Sequence, residues 1–253
     1  MQDRFRAQEL ARFESDGFVV VRGMVDPSVR ERILEVARAH LAQETAPVEY
    51  EAQLHYPGAP ESLDAPGGHT VRRLLQACVR DPVFREWGTS APVAARLRQL
   101  LGEQVRLAQA HHNCVMTKQP RYSSVTGWHQ DIRYWTFQRP ELVSVWLALG
   151  RETPENGGLS FIPGTHRMEF ARERLDHALF LREDLPENQA LIARRQTPAL
   201  EAGDVVFFHC RTFHAAGANR TAAAKFSLVF TYHAADNAPL PGTRSDSLPA
   251  IAL

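Results

Sequence analysis

No stretch of the 253 residues is an unbroken apolar run of membrane-spanning length, and the opening Met-Gln-Asp-Arg-Phe-Arg lacks the apolar centre of a signal peptide. That reads as a cytosolic, soluble chain with no membrane partner. Cysteine is scarce: Cys78, Cys114 and Cys210 are widely spaced and odd in number, which excludes a disulfide framework and a zinc ribbon. Net charge is missing as well, with 29 Lys+Arg against 29 Asp+Glu, so no global field favours nucleic acid. Internal repeats and low-complexity tracts are absent. What remains, 44% hydrophobic and 23% charged over 253 residues, is ordinary globular composition with enough chain for a substantial core. No linker stands out, so residues 1–253 read as one domain, helical over about 1–102 and mainly β over about 103–235.

Residues 3–15 carry Phe5, Leu10 and Phe13 near helical spacing, and Asp16-Gly17 stops them. Phe18–Val21 is a short β-branched strand. Asp26 as N-cap and Pro27 at the first turn open a helix to about Ala42. Residues 45–69 have no clear period and read as a long excursion, and helical patterns return at about 70–87 and 91–101. From Val105 the character changes. Val105–Lys118, Trp128–Trp135, Leu142–Leu149, Leu159–Ile162, Val205–Cys210, Phe213–Ala216 and Lys225–His233 read as strands separated by Gly, Pro and Asn. A charged, partly helical insertion at 167–200 interrupts them. Helices followed by a run of short strands predict a mainly β sandwich or barrel with flanking helices.

Gly127-Trp128-His129-Gln130-Asp131 is the stretch with the most chemistry. On a strand, His129 and Asp131 point the same way, and an imidazole beside a carboxylate is two-thirds of the facial triad that holds non-haem Fe(II). A second His must come from elsewhere. His209 and His214 lie five apart, on opposite faces of an uninterrupted strand, so parity alone leaves the choice between them open. His111, His112, His166 and His233 are further candidates.

Trp128-His129-Gln130-Asp131 is followed by Asn156-Gly157-Gly158-Leu159 and Ile162-Pro163-Gly164-Thr165-His166. Gly203–His209 and His214-Ala215-Ala216-Gly217-Ala218-Asn219 come next. In this order, with the opening Phe13–Val21, the chain resembles the phytanoyl-CoA dioxygenase-like group of Fe(II)/2-oxoglutarate oxygenases over nearly its whole length. The resemblance is weakest at 45–75 and 167–200. It implies a double-stranded β-helix, or jelly roll, flanked by helices. It implies His129, Asp131 and His214 as iron ligands, with His209 outside the set. The resemblance also implies the reaction. 2-Oxoglutarate and O₂ would fill the open iron positions, giving succinate, CO₂ and a hydroxylated product. Asp131 argues against a halogenase, in which a small non-coordinating residue replaces the carboxylate.

By the same resemblance the distal carboxylate of 2-oxoglutarate is held by an Arg eleven residues past the distal His; here that position is Lys225. Lys225 and Ser227 share one face of their strand and together can bind a carboxylate, although the forked geometry of Arg is lost. Arg220 is the rival cation. Trp146 and Cys114 match positions that line the cosubstrate pocket. Arg133 and Trp135 share parity with the ligands and are expected to face a small organic substrate. Two other readings stay open: a catalytically silent jelly-roll metal-binding protein, and a metal enzyme on the same fold that uses no 2-oxoglutarate.

Overall fold

In the computed structural model, which describes residues 3–253, the chain breaks announced by the sequence fall where expected. Helix α1 (Ala7–Asp16) ends at Gly17, whose left-handed backbone at φ 81° returns its N–H to the Phe13 carbonyl. Strand β1 (Phe18–Val21) follows. Helix α2 (Pro27–Ala42) is capped by Asp26, which accepts the Ser28 N–H at 2.8 Å. Strand β2 (Val48–Tyr50) is the one extended piece of the 45–69 excursion.

The 70–87 stretch is not helical throughout. It opens with β3 (Val71–Leu75), and the helices α3 (Ala77–Arg80) and α4 (Pro82–Gly88) come after it. Pairing with β2 on one side and with β5 (Cys114–Lys118) on the other overrides the helical spacing. Helix α5 (Ala91–Leu101) matches its prediction. The long strand expected over 105–118 splits into β4 (Val105–Ala108) and β5, with His111 and His112 in the connection between them.

The remaining strands are β6 (Thr126–His129), β7 (Leu142–Ala148), β8 (Leu159–Phe161), β9 (Val205–His209), β10 (His214–Ala216), β11 (Lys225–Ala234) and β12 (Ile251–Ala252). Helix α6 (Pro186–Ile192) lies in the charged insertion. The larger, antiparallel sheet runs β1-β9-β7-β11-β5-β3-β2, with β4 also on β11 and β12 on β4; the smaller one runs β6-β10-β8.

Strand alternation sorts the core into two layers. Val205, Phe207, Leu228, Phe230 and Tyr232 leave the large sheet toward the helices and pack on Phe13, Ile33, Phe84, Trp87 and Leu97. Val206, Phe208, Val229, Trp146 and Cys114 leave it on the other side, against Leu159 and Phe161 of the small sheet. Burying each such Phe or Leu contributes roughly 1.5–3 kcal/mol. Helices on one face and a second sheet on the other give the double-stranded β-helix that the family resemblance implies. The polar side chains of the inner layer, Ser144, Lys225, Ser227 and Thr231, are then fully covered between the sheets.

Candidate metal centre

β6 and β10 are adjacent in the small sheet, and their register places His129 directly opposite His214. Asp131 joins them by a different route from the one predicted. The strand stops at His129; Gln130 remains extended (φ −107°, ψ 135°), and Asp131–Tyr134 is a turn of 3₁₀ helix. One extended residue is enough to aim both side chains into the same cavity, and the turn then carries the chain away. Asp131 Oδ1 lies 3.4 Å from His214 Nε2 and 3.8 Å from His129 Nε2. Among the described residues, this is the one group of three His, Cys, Asp or Glu side chains whose donor atoms converge, all within 4.8 Å.

The far side of each ligand is held by the protein. The Nδ1 of His129 meets the Gly127 carbonyl at 2.9 Å and that of His214 meets the Thr212 carbonyl at 3.0 Å. Hydrogen bonds there place the proton on Nδ1 and leave the Nε2 lone pairs turned inward, as metal-bound imidazoles require. Asp131 Oδ2 accepts the Ser144 hydroxyl at 2.8 Å and faces His112 Nδ1 at 3.3 Å, whereas Oδ1 is buried without a hydrogen-bond partner. A buried carboxylate oxygen left bare between two imidazole nitrogens is costly unless a cation sits there. The residues therefore fit a divalent metal bound by two nitrogens and one oxygen. The electrostatics agree. Burial and the neighbouring His214 hold His129 well below the ordinary histidine range, so it is neutral. For His214 the Asp131 carboxylate outweighs burial and raises it. Asp131 is held well below the carboxylate range by His112 and His214, despite its burial.

The support reaches back to α1. Thr212 donates its hydroxyl to the Gly17 carbonyl at 2.9 Å, and a Cβ at Gly17 would lie 2.4 Å from that hydroxyl. The Asp16-Gly17 stop thus also lets the helix end sit against the loop that carries His214.

His209 lies outside the group, with Nδ1 accepting the Arg211 N–H at 3.1 Å and its ring against His166. His111 stacks on Tyr134, His166 meets the Glu14 carbonyl and His233 packs on Phe137. None of them reaches the triad. Arg133 does not follow strand parity, because the turn intervenes. Its guanidinium lies 4.1 Å from the centre of the Phe180 ring, close to Tyr134. The same turn sends Trp135 into a separate buried cluster with Ala108, Leu142 and Cys210. Phe180 from the 167–200 insertion and Tyr56 from the 45–69 excursion pack edge to face, and Phe180 also contacts the His129 ring. The two segments of weakest resemblance thus meet beside His129. The cavity that the His129, Asp131 and His214 side chains line has a volume of only about 50 Å³. A larger one, about 480 Å³, lies among α2, α4 and α5 and contains no comparable set of donors, so the chemistry belongs to the smaller.

On the opposite side of the triad, Lys225 and Trp146 line the cavity. Cys114 lies just behind it with Sγ against Met116, and burial pushes its thiol up to about 12, so it stays protonated. Arg220 is exposed on its loop and does not border the cavity. Sequence reasoning missed Glu152. Its carboxylate, fully buried, accepts the Ser227 hydroxyl at 2.6 Å, the Trp146 indole N–H at 3.1 Å and the Lys225 ammonium at 3.2 Å. An acid in the turn-rich stretch after β7 carries no sequence signal of burial.

A profile of the phytanoyl-CoA dioxygenase (PhyH) family matches residues 13–227. The ectoine dioxygenase of Bordetella bronchiseptica is 26% identical over 255 residues, covering 93% of this chain and 77% of its own length. The crystal structure of the non-haem alpha-ketoglutarate-dependent epimerase SnoN from nogalamycin biosynthesis superposes with a TM-score of 0.74 at 27% identity, over 96% of this chain and 92% of that one. EctD from S. alaskensis, at 21% identity, shares the fold with a TM-score of 0.78 over 95% of this chain and 80% of that one. With its converging His-Asp-His donors, this chain belongs to the phytanoyl-CoA dioxygenase family and is an Fe(II)- and 2-oxoglutarate-dependent dioxygenase.

Proposed function

We propose that His129, Asp131 and His214 hold the iron of a single oxygenase domain that hydroxylates a small organic substrate, releasing succinate and CO₂. The observation that carries this is the bare Asp131 Oδ1 facing two Nε2 atoms whose rings are fixed from behind. Iron supplies the activation of O₂ at the expense of 2-oxoglutarate; the protein's part is to orient and enclose. The backbone carbonyls of Gly127 and Thr212 fix the two imidazoles, and Ser144 and His112 present Asp131 through one oxygen. Lys225 and Ser227 meet the distal carboxylate of 2-oxoglutarate beside Trp146, and Cys114 backs that wall. Arg133, Tyr134, Tyr56 and Phe180 face the substrate and exclude water, so that oxidation is confined to a bound molecule. Ectoine, the substrate in the names of several relatives, is one small molecule of the kind this enclosure suits.

Anaerobic reconstitution with Fe(II) and 2-oxoglutarate, followed by O₂, tests the reading. Bound iron near one per chain, succinate, and a product heavier by one oxygen are expected. Bound iron without succinate would leave the silent metal-binding protein. Oxygen uptake without succinate would leave an enzyme of the same fold that needs no 2-oxoglutarate. The likeness to an epimerase favours one further outcome to look for, succinate with a product of unchanged mass.

A further inference from the structure

Four buried cations line the cavity, Arg72, Arg73, Lys118 and Lys225, and two buried carboxylates, Glu51 and Glu152, lie beside them. Arg73 is paired with Glu49 at 3.2 Å. Arg72 pairs with Glu51 at 3.1 Å and also donates to Ser124 at 2.8 Å and Thr126 at 2.9 Å. Lys225 pairs with Glu152 at 3.2 Å. Both of these charges are balanced. Lys118 is left over. It is 5% exposed, its ammonium donates to the Ser124 carbonyl, and among the described residues no carboxylate lies within ion-pair distance of it. A buried ammonium without a counter-ion, next to two other cations, is expensive to keep. Burial first, and then Arg72 and Lys225, bring Lys118 down to about 7, against the opposite pull of Glu51.

The fold also holds this side chain in place. Lys118 and Lys225 are direct partners across β5 and β11, and both line the cavity. The Asn219 amide grips the Lys118 carbonyl at 2.7 Å. Gly157, at φ 78°, lets its own backbone close on the lysine stem: a Cβ there would lie 3.2 Å from Lys118 Cδ and 2.5 Å from the Gly217 carbonyl oxygen. One N–H of the ammonium is used on Ser124, which leaves two for a ligand.

We propose that Lys118 carries the positive charge that receives the distal carboxylate of 2-oxoglutarate, with Lys225 beside it as a hydrogen-bond donor whose own charge Glu152 already balances. This rests on the cosubstrate reading above and redistributes its roles. Arrival of the carboxylate supplies the missing counter-ion, so Lys118 becomes fully protonated in the complex. Above pH 7 binding is therefore accompanied by proton uptake from the solvent, rising toward one per site as pH increases. The charged groups facing Lys118 are Arg72, Glu51 and Lys225 with Glu152 behind it, and only Lys118 lacks an opposite partner.

The test is calorimetric titration of 2-oxoglutarate into the Ni(II)-loaded, non-turning-over protein, in buffers of different ionisation enthalpy, with 2-oxovalerate as the analogue whose methyl group replaces the distal carboxylate. Lys118→Met should weaken 2-oxoglutarate about ten- to a hundred-fold, leave 2-oxovalerate unchanged and abolish proton uptake at pH 8. Glu152→Gln should tighten 2-oxoglutarate several-fold, because it frees the charge of Lys225. The double variant Lys225→Met with Glu152→Gln, which leaves no stranded charge, should weaken it by about fivefold or less. Unchanged affinity in Lys118→Met with a large loss in the double variant would overturn the inference and leave Lys225 as the cation. Wild-type binding that none of the three variants alters would overturn both the inference and the cosubstrate reading.

Discussion

The two ends of the cavity are built on opposite electrostatic plans. At the metal end the protein satisfies the back of each ligand and leaves the front bare: Nδ1 and Oδ2 have partners, and Asp131 Oδ1 has none. At the other end Lys225 has a carboxylate, a hydroxyl and an indole ring around it already. A group poised for a ligand is recognised by what it lacks. By that criterion the His129-Asp131-His214 group is poised, Lys225 is largely satisfied, and Lys118 is the buried charge left without a counter-ion. Matching a family position identifies which residue is present, and only the surrounding partners show whether its charge is available.

The comparison breaks hardest at Asp131. Asp131→Ala removes the only anionic donor of the triad, and bound iron should fall from about one per chain to near zero, with turnover abolished. The fold should survive, since the alanine relieves a buried bare oxygen. Metal analysis beside far-UV circular dichroism checks both halves, and iron retained by both Asp131→Ala and His214→Ala would refute the ligand set.

At the other end the same logic predicts a stability effect. Lys225→Met strands the Glu152 carboxylate, which is fully buried, and a buried pair broken from one side costs about 3–5 kcal/mol. Adding Glu152→Gln to Lys225→Met should recover most of it, because the pair then disappears as a unit. Urea unfolding of the single and double variants measures the coupling, and additive losses would mean that the pair is not an energetic unit. Lys118→Met should move the other way and raise the denaturation midpoint, since it deletes an unpaired buried cation.

A smaller effect is expected at the turn that packs on the Lys118 stem. Gly157→Ala demands a left-handed backbone of a residue with a Cβ and pushes that Cβ toward the Gly217 carbonyl at 2.5 Å. The cost should be about 1–3 kcal/mol, with weaker 2-oxoglutarate binding as Lys118 is displaced. Thermal unfolding with and without 2-oxoglutarate measures it.

Much of this was legible in the chain, for physical reasons. Strand alternation put Lys225 and Ser227 on one face of β11 and Phe226 and Leu228 on the other, and the two layers of the core follow that division. Glycine and proline punctuation marked the real turns. The illegible parts depend on non-local pairing. Val71–Leu75 is a strand because β2 and β5 flank it, and nothing inside those five residues says so. The Asp131–Tyr134 turn hides inside an aromatic run that alternates well enough to pass for a strand, and it is why Trp135 leaves the cavity. Glu152 is held between β7 and the rest of the inner layer by backbone bonds to Leu200 at 2.8 and 2.9 Å, a contact 48 residues away in sequence. Lys118 stood at the end of a predicted strand, where a lysine ordinarily marks exposure; the Gly217–Asn219 loop folding over it reverses that.

The mildest test concerns the histidine that the triad does not use. His209 is mostly buried, and burial, with His166 and Arg211 nearby, lowers it from 6.5 to about 4. The folded chain thus refuses a proton that the unfolded chain accepts. Above pH 6.5 neither state carries it and His209 contributes no pH dependence. Between 6.5 and about 4 the unfolded state binds more protons, so stability falls as pH falls through that window. His209→Gln keeps a polar group of similar size and removes the titration. Its acid limb should be shallower than wild type between pH 6 and 4, with the two curves parallel above pH 7. Bound iron should stay near one per chain, because the His209 ring turns toward His166 and the Arg211 N–H. Melting temperatures across that range, with metal analysis at pH 7.5, read both. Loss of iron in His209→Gln while His214→Ala retained it would exchange the two histidines and erase the contrast between a ligand left bare and a neighbour already satisfied.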